Sequence, residues 1–209
     1  MLKTVGLLYS DYVLVEYINS LLKKEFKSVR FLNLVDDYLL QIIGDKKAVY
    51  RRVLQYCKNM EEAKVDLIIN TCTSLSPYVP QLREKTNIKI VSLEDLLIEC
   101  IQTYKKIGVI ATIETALNSV KTVVLAGDKE FVGEICQGAF QMLKDKKETE
   151  HDKVIISKIH QLENEVDAII LAQASMNRVI SEYSNKYSVP VFGLVSCLID
   201  KLKEWEKND

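Results

Sequence analysis

Short apolar runs and longer stretches with helical apolar spacing alternate along the whole chain. Residues 3–9, 29–34, 66–70 and 88–92 read as strands in the first half, and 106–111, 166–171 and 189–193 in the second. Most of these runs are apolar without strict alternation, the pattern of a strand covered on both faces. Between them the spacing predicts a helix over 12–26, with Val13, Tyr17, Leu21 and Leu22 on its apolar side, and another from a cap at Asp45 to about 62. Ser76-Pro77 reads as an N-cap followed by proline at the first helical position. Helices are further predicted over 93–104, 114–126, 134–146, 149–165, 176–187 and 195–206. Strands alternating with helices imply an α/β fold of mostly parallel sheets flanked by helices.

The pattern is also duplicated. Lys3–Ser10 answers to Lys105–Thr112 at an offset of 102 residues. Val65–Ser74 answers to Val166–Ser175 at 101, and Ile88–Leu93 to Val189–Leu194 at 101. Any one match between apolar runs is weak, but three in order at nearly constant spacing point to two pseudo-symmetric lobes, expected over 1–103 and 104–209. The repeat is far longer than the 20–50 residues of a solenoid. In open parallel sheets ligands gather beyond the carboxyl ends of the strands. Ser10, Cys72, Thr112 and Gln173 all fall at such ends, and a two-fold arrangement is expected to bring them to one cleft between the lobes.

Composition narrows the function classes. With 48% hydrophobic and 27% charged residues the chain reads as an ordinary globular protein. A formal net charge of −1 gives no electrostatic case for nucleic acid. No apolar run approaches the ~20 residues of a spanning helix, so no membrane partner is expected. Asp11 and Glu16 interrupt the N-terminal stretch, which speaks against a signal peptide. The five cysteines, Cys57, Cys72, Cys100, Cys136 and Cys197, include no C-x-x-C pair. A zinc site or disulfide framework is therefore disfavoured, and a reducing cytoplasm is the expected compartment.

Cys72 stands apart from the other four. It lies in Asn70-Thr71-Cys72-Thr73-Ser74, bracketed by polar residues after a strand, whereas the others sit in apolar or helix-like surroundings. A following helix N-terminus would favour a substrate carboxylate, and the same field can lower a thiol from its usual pKa of about 8.5 toward neutrality. At the equivalent place in the second lobe stands Gln173. Thr112 and Thr115 follow a strand and either bind a carboxylate or cap and pack the next helix. Ser10 and Ser175 are further candidate donors. His151-Asp152 begins a helix and reads first as part of its end.

These segments resemble the aspartate/glutamate racemase superfamily, which includes hydantoin racemases, maleate isomerases and arylmalonate decarboxylases. Asn70-Thr71-Cys72-Thr73 matches the first cysteine motif of that family, and the resemblance covers nearly the full length. One branch is more similar still, through Gly108–Leu117, Gly138-Ala139-Phe140 with His151-Asp152, and Leu171–Met176. The resemblance implies two α/β lobes with the active site between them, no cofactor and no metal. It also implies two facing cysteines, one removing the α-proton and the other returning a proton to the opposite face. Here Leu171-Ala172-Gln173-Ala174-Ser175 stands where typical racemases carry Leu-Gly-Cys-Thr, and a carboxamide exchanges no proton near neutral pH.

The expected function is a cofactor-independent racemase or epimerase of a small amino acid or related carboxylate. Cys72 is the expected thiolate and Gln173 its catalytic counterpart. Ser10, Asn70, Thr71, Thr73, Thr112, Thr115 and Ser175 are the candidate substrate-binding residues. A single-cysteine decarboxylase or cis–trans isomerase, and a non-catalytic carboxylate-binding protein, are the alternatives. A homodimer is expected from the resemblance alone.

Overall fold

In the computed structural model, which describes residues 2–12, 15–183 and 187–208, the chain divides into two compact units, Met1–Asp95 and Leu96–Asp209. The first contains β1 (Lys3–Tyr9), α1 (Val15–Glu25), β2 (Val29–Val35), α2 (Tyr38–Gln41), α3 (Lys46–Glu62), β3 (Leu67–Asn70), α4 (Val79–Arg83) and β4 (Lys89–Ser92). Helix α5 (Leu93–Ile101) follows β4 directly and carries the point of division. The second unit continues with β5 (Lys106–Ala111), α6 (Glu114–Ala126), β6 (Glu130–Ile135), α7 (Ala139–Lys144), α8 (Glu148–Leu162), β7 (Ala168–Leu171), α9 (Asn177–Tyr183), β8 (Val191–Gly193) and α10 (Leu194–Asn208). Residues 13–14 and 184–186, included in two predicted helices, lie outside the described residues.

Each unit is built on a four-stranded, wholly parallel sheet, in the order β2-β1-β3-β4 and β6-β5-β7-β8. The central strands explain their apolar runs. All four residues of β3 and of β7 are buried, as is every residue of β1 and β5 after the first. On α3, Val49, Val53, Cys57 and Met60 follow the helical period and pack with Ile68 and Leu8. On α8, Ile155, Ile159 and Leu162 do the same with Ile110 and Ile169.

The duplication extends to individual contacts. Gly6 and Gly108 sit in the central strands where α3 and α8 press closest. A Cβ on Gly6 would lie 2.7 Å from Met60 Sδ and 3.1 Å from Val65 Cγ1. On Gly108 it would lie 3.2 Å from Val166 Cγ2 and 3.4 Å from Leu162 Cδ1. The side chain of Asp66 accepts the Thr4 amide at 2.7 Å, and Asp167 accepts the Lys106 amide at 2.8 Å. The amides of Thr71 and Ala172 donate to the carbonyls of Leu8 and Ile110 at 3.0 and 2.9 Å. Each carboxylate fixes the start of a strand pair, and each late amide closes its far end.

Two predicted elements need correction. Residues 134–146 do not form one helix: 130–135 are strand β6, and only 139–144 are helical. As an edge strand, β6 is partly exposed along its length and carries Glu130, Gly133 and Glu134, so it lacks the apolar run that marks a buried strand. Ser76-Pro77 does not open an α-helix either. Thr73–Tyr78 winds as a 3-10 turn with Pro77 inside it, and α4 starts only at Val79. The cap at Asp45 is as expected, its carboxylate accepting the Ala48 amide at 3.0 Å.

Candidate active site

The carboxyl end of the first sheet is organised around Cys72. Strand β1 ends at Tyr9, so the buried Ser10 is the first residue beyond it, and its hydroxyl donates to Cys72 Sγ at 2.6 Å. Cys72 itself is half-buried, in extended conformation just before the 3-10 turn.

Asn70 holds the loop in shape. It is 2% exposed, its Oδ1 accepts the Cys72 amide at 3.2 Å, and its Nδ2 donates to the Cys72 carbonyl at 2.9 Å and to Ser76 Oγ at 3.1 Å. Both amide hydrogens are thereby used, so Asn70 grips the backbone on either side of the thiol. Thr71 turns back onto β1, its hydroxyl donating to the Leu8 carbonyl at 2.8 Å. Thr73, half-buried, opens the 3-10 turn.

Sequence reasoning missed Glu94. It lies in the first turn of α5, is 8% exposed, and accepts a 2.6 Å hydrogen bond from Ser76 Oγ. That tertiary contact takes the hydroxyl that would otherwise cap a helix. A partly buried chain of hydrogen bonds thus runs from the Cys72 loop through Asn70 and Ser76 to a carboxylate. The signal was the position directly after β4, where an acid in a first turn is ordinarily explained by the helix dipole alone.

The second unit repeats the arrangement with different chemistry. Thr112, the first residue beyond β5, is 6% exposed, and its hydroxyl donates to Gln173 Oε1 at 2.9 Å. Its amide donates to the same oxygen at 2.7 Å. Thr112 therefore does not cap α6; the residue before that helix is Ile113, which makes no capping bond. Gln173 is extended, like Cys72, and precedes a 3-10 turn over Ala174–Met176 that contains the half-buried Ser175. Thr115 is exposed in the first turn of α6 and is not brought to Gln173 by any observed hydrogen bond.

His151 is wholly buried within α8 and caps nothing. Its Nδ1 pairs with Asp152 Oδ1 at 2.8 Å, and Asp152 receives Arg178 Nε at 2.6 Å and Nη2 at 2.9 Å. Burial works to raise the Asp152 pKa, and its hydrogen bonds with Arg178 and His151 overcome that effect and hold it below the ordinary 3.8. The Nε2 of His151 has no hydrogen-bond partner among the described residues. Among the described residues no group of three or more His, Cys, Asp or Glu could hold a metal ion, and no helix is long and apolar enough to cross a membrane.

Comparison with known proteins agrees with this layout. The family model described as Asp/Glu/Hydantoin racemase matches residues 37–202. No curated protein matches the chain in sequence. Among solved structures, the chain is similar to an aspartate racemase homologue from Pyrococcus horikoshii OT3, with a TM-score of 0.73 and 17% identity, covering 100% of both chains. It is also similar to Picrophilus torridus aspartate racemase, at a TM-score of 0.71 and 18% identity over 98% of this chain and 94% of that one. An unliganded arylmalonate decarboxylase matches with a TM-score of 0.70 and 11% identity over 96% and 92%. At these identities the structures speak for the fold, two four-stranded parallel sheets flanked by helices, and the family model speaks for the sequence. The chain belongs to the Asp/Glu/hydantoin racemase family and is an enzyme of its isomerase class.

Proposed function

We propose that the protein is a cofactor-independent racemase or epimerase of a small amino acid or related carboxylate, with Cys72 as its proton-transferring thiolate. The observation that carries this reading is the Ser10–Cys72 hydrogen bond at 2.6 Å, at the carboxyl end of a parallel sheet in a chain of this family. As thiolate, Cys72 takes the α-proton; negative charge moves from the α-carbon into the substrate carboxylate, and the proton then returns to that carbon. Thr73 and Ser175 are assigned to the substrate carboxylate. Asn70 and Thr71 act through the loop they hold, as positioning residues.

Gln173 supplies hydrogen bonds and no proton. With Thr112 donating twice to its Oε1, its Nε2 hydrogens remain the groups it offers to an enolate oxygen. The return of a proton to the opposite face then falls to water or to another acid. Gln173 in place of a second thiol also favours a second reading, decarboxylation of a small malonate. There one carboxylate leaves as carbon dioxide and the carbanion takes a single proton from the Cys72 thiol, which water restores. Likeness to an arylmalonate decarboxylase agrees with this reading.

The test is incubation in D₂O with D- and L-amino acids, hydantoins, arylmalonates and maleate, followed by chiral chromatography and mass spectrometry. Inversion with α-deuterium supports the first reading. Loss of carbon dioxide from a malonate supports the second and overturns the first. Turnover of none of these compounds contradicts both.

A further inference from the structure

The two halves of the repeat share a scaffold and differ in what surrounds their loops. At the offset of 101 residues, Asn70, Ser76 and Glu94 answer to Leu171, Asn177 and Val195. Leu171 and Val195 are wholly buried hydrocarbon side chains, so the chain of hydrogen bonds that reaches the Cys72 loop cannot form around Gln173. What the fold itself needs is kept in both halves. Asp95 accepts the Ser92 amide at 2.7 Å and the Ser92 hydroxyl at 2.8 Å, and Ser196, its equivalent, accepts the Gly193 amide at 2.9 Å. Capping of α5 thus falls to Asp95, and the neighbouring Glu94 turns to Ser76 instead. An acid buried where the other half accepts valine is not explained by packing, and its burial costs desolvation.

Strands β3 and β4 pair Asn70 with Ser92, which brings Glu94, two residues further on, beside the loop that follows β3. A carboxylate only accepts hydrogen bonds, so the Ser76 hydroxyl hydrogen is committed to Glu94 Oε2 at 2.6 Å. The Ser76 oxygen is then left to accept from Asn70 Nδ2 at 3.1 Å. That contact agrees with the grip of Asn70 on the loop, Nδ2 toward the Cys72 carbonyl at 2.9 Å and Oδ1 toward the Cys72 amide at 3.2 Å. With no acceptor at position 94, the Ser76 hydroxyl faces the Cys72 carbonyl, 3.5 Å away, an oxygen that Asn70 already uses. Toward β1 the loop is tied through Thr71, whose amide and hydroxyl both donate to the Leu8 carbonyl. Glu94 is its anchor toward β4.

We propose that Glu94 is a positioning residue for Cys72: through Ser76 and Asn70 it fixes the backbone on both sides of the thiol and holds the sulfur where it meets the α-proton. The proposal rests on the assignment of proton transfer to Cys72. Two side chains separate Glu94 from the Cys72 backbone, so it acts on the rate of proton transfer and not on substrate affinity.

The experiment compares wild type with Glu94→Val, Ser76→Ala and the double variant. Valine stands at the equivalent site of the other half, so Glu94→Val is expected to fold. Should it unfold, Ser76→Ala, which breaks the same chain, is read in its place. Hydrogen exchange of the Cys72 amide, followed by NMR, is expected to be roughly tenfold faster in each single variant. On the compound that wild type turns over, kcat for α-deuterium exchange is expected to fall roughly ten- to a hundredfold, with KM close to wild type. The double variant is expected to be no slower than the slower single one, because both act along one chain. Glu94→Gln keeps an oxygen to accept the Ser76 hydrogen and is expected to restore most of the lost rate. Wild-type protection of the Cys72 amide in the single variants overturns the proposal. So does a loss in the double variant equal to the product of the single losses, or a Glu94→Gln as slow as Glu94→Val. Amide protection needs no substrate. If wild type turns over none of the compounds, the reaction assigned to Cys72 fails, while fast amide exchange in Glu94→Val still upholds the anchor.

Discussion

In the first unit a hydroxyl just beyond the central strand donates to a sulfur; in the second, a hydroxyl at the equivalent place donates to a carboxamide oxygen. The two pairs stand at equivalent places, and although the Thr112 amide adds a second donation in the second unit, the difference that matters for proton transfer lies in the acceptor, Cys72 against Gln173. The sequence revealed both residues, because each follows an unmistakable buried strand. It did not reveal that Asn70 clamps the loop or that Glu94 ends the chain of hydrogen bonds, since both depend on contacts across the fold. His151-Asp152, read as a helix end, is instead a buried pair locked by Arg178. A carboxyl whose folded pKa lies below its unfolded value adds stability that is complete above the unfolded value and is lost as pH falls through the folded one. Asp152 is such a group. Asp152→Asn is expected to unfold at lower urea than wild type at neutral pH. The two are expected to converge as pH falls from the ordinary carboxyl value of about 4 through the lower folded one, where the wild-type carboxyl protonates. A gap that stays constant with pH would show that the Asp152 charge is not what stabilises the fold.

At the level of elements, the buried strands were legible, as were the edge strands β2, β4 and β8, but the edge strand β6 was not. β1, β3, β5 and β7 announce themselves by unbroken apolar runs, whereas β6, half-exposed at the edge of its sheet, was hidden by its acids and glycine. Its place was nonetheless implied by the repeat, because β2 occupies the same position in the first sheet. The close approach of α3 and α8 to the central strands gives a direct test of that shared packing. Gly6→Ala drives a methyl group to 2.7 Å from Met60 Sδ and is expected to cost about 1–3 kcal/mol. Gly108→Ala meets its nearest neighbour at 3.2 Å and is expected to cost less. Urea denaturation of the two variants measures the difference. Equal stability of Gly6→Ala and wild type would contradict the packing described.

Across the whole molecule, two sheets of identical strand order, paired carboxylates at the strand starts and paired glycines beneath the helices make duplication the simplest account of the fold. We propose that the copies run from 1 to 103 and from 104 to 209, α5 closing the first as α10 closes the second. The capping of these two helices agrees: Asp95 accepts the Ser92 amide at 2.7 Å, and Ser196 accepts the Gly193 amide at 2.9 Å. Divergence after duplication then left one copy with a thiol and the other with a carboxamide, and Cys72 as the acid–base group is the claim on which the proposed reaction stands. It is tested most directly by following α-deuterium incorporation from D₂O into the compound that wild-type enzyme turns over, in parallel with Cys72→Ala. The account predicts that exchange falls roughly a thousandfold in the variant, while its urea unfolding stays close to that of wild type. Exchange at the wild-type rate in Cys72→Ala would contradict it.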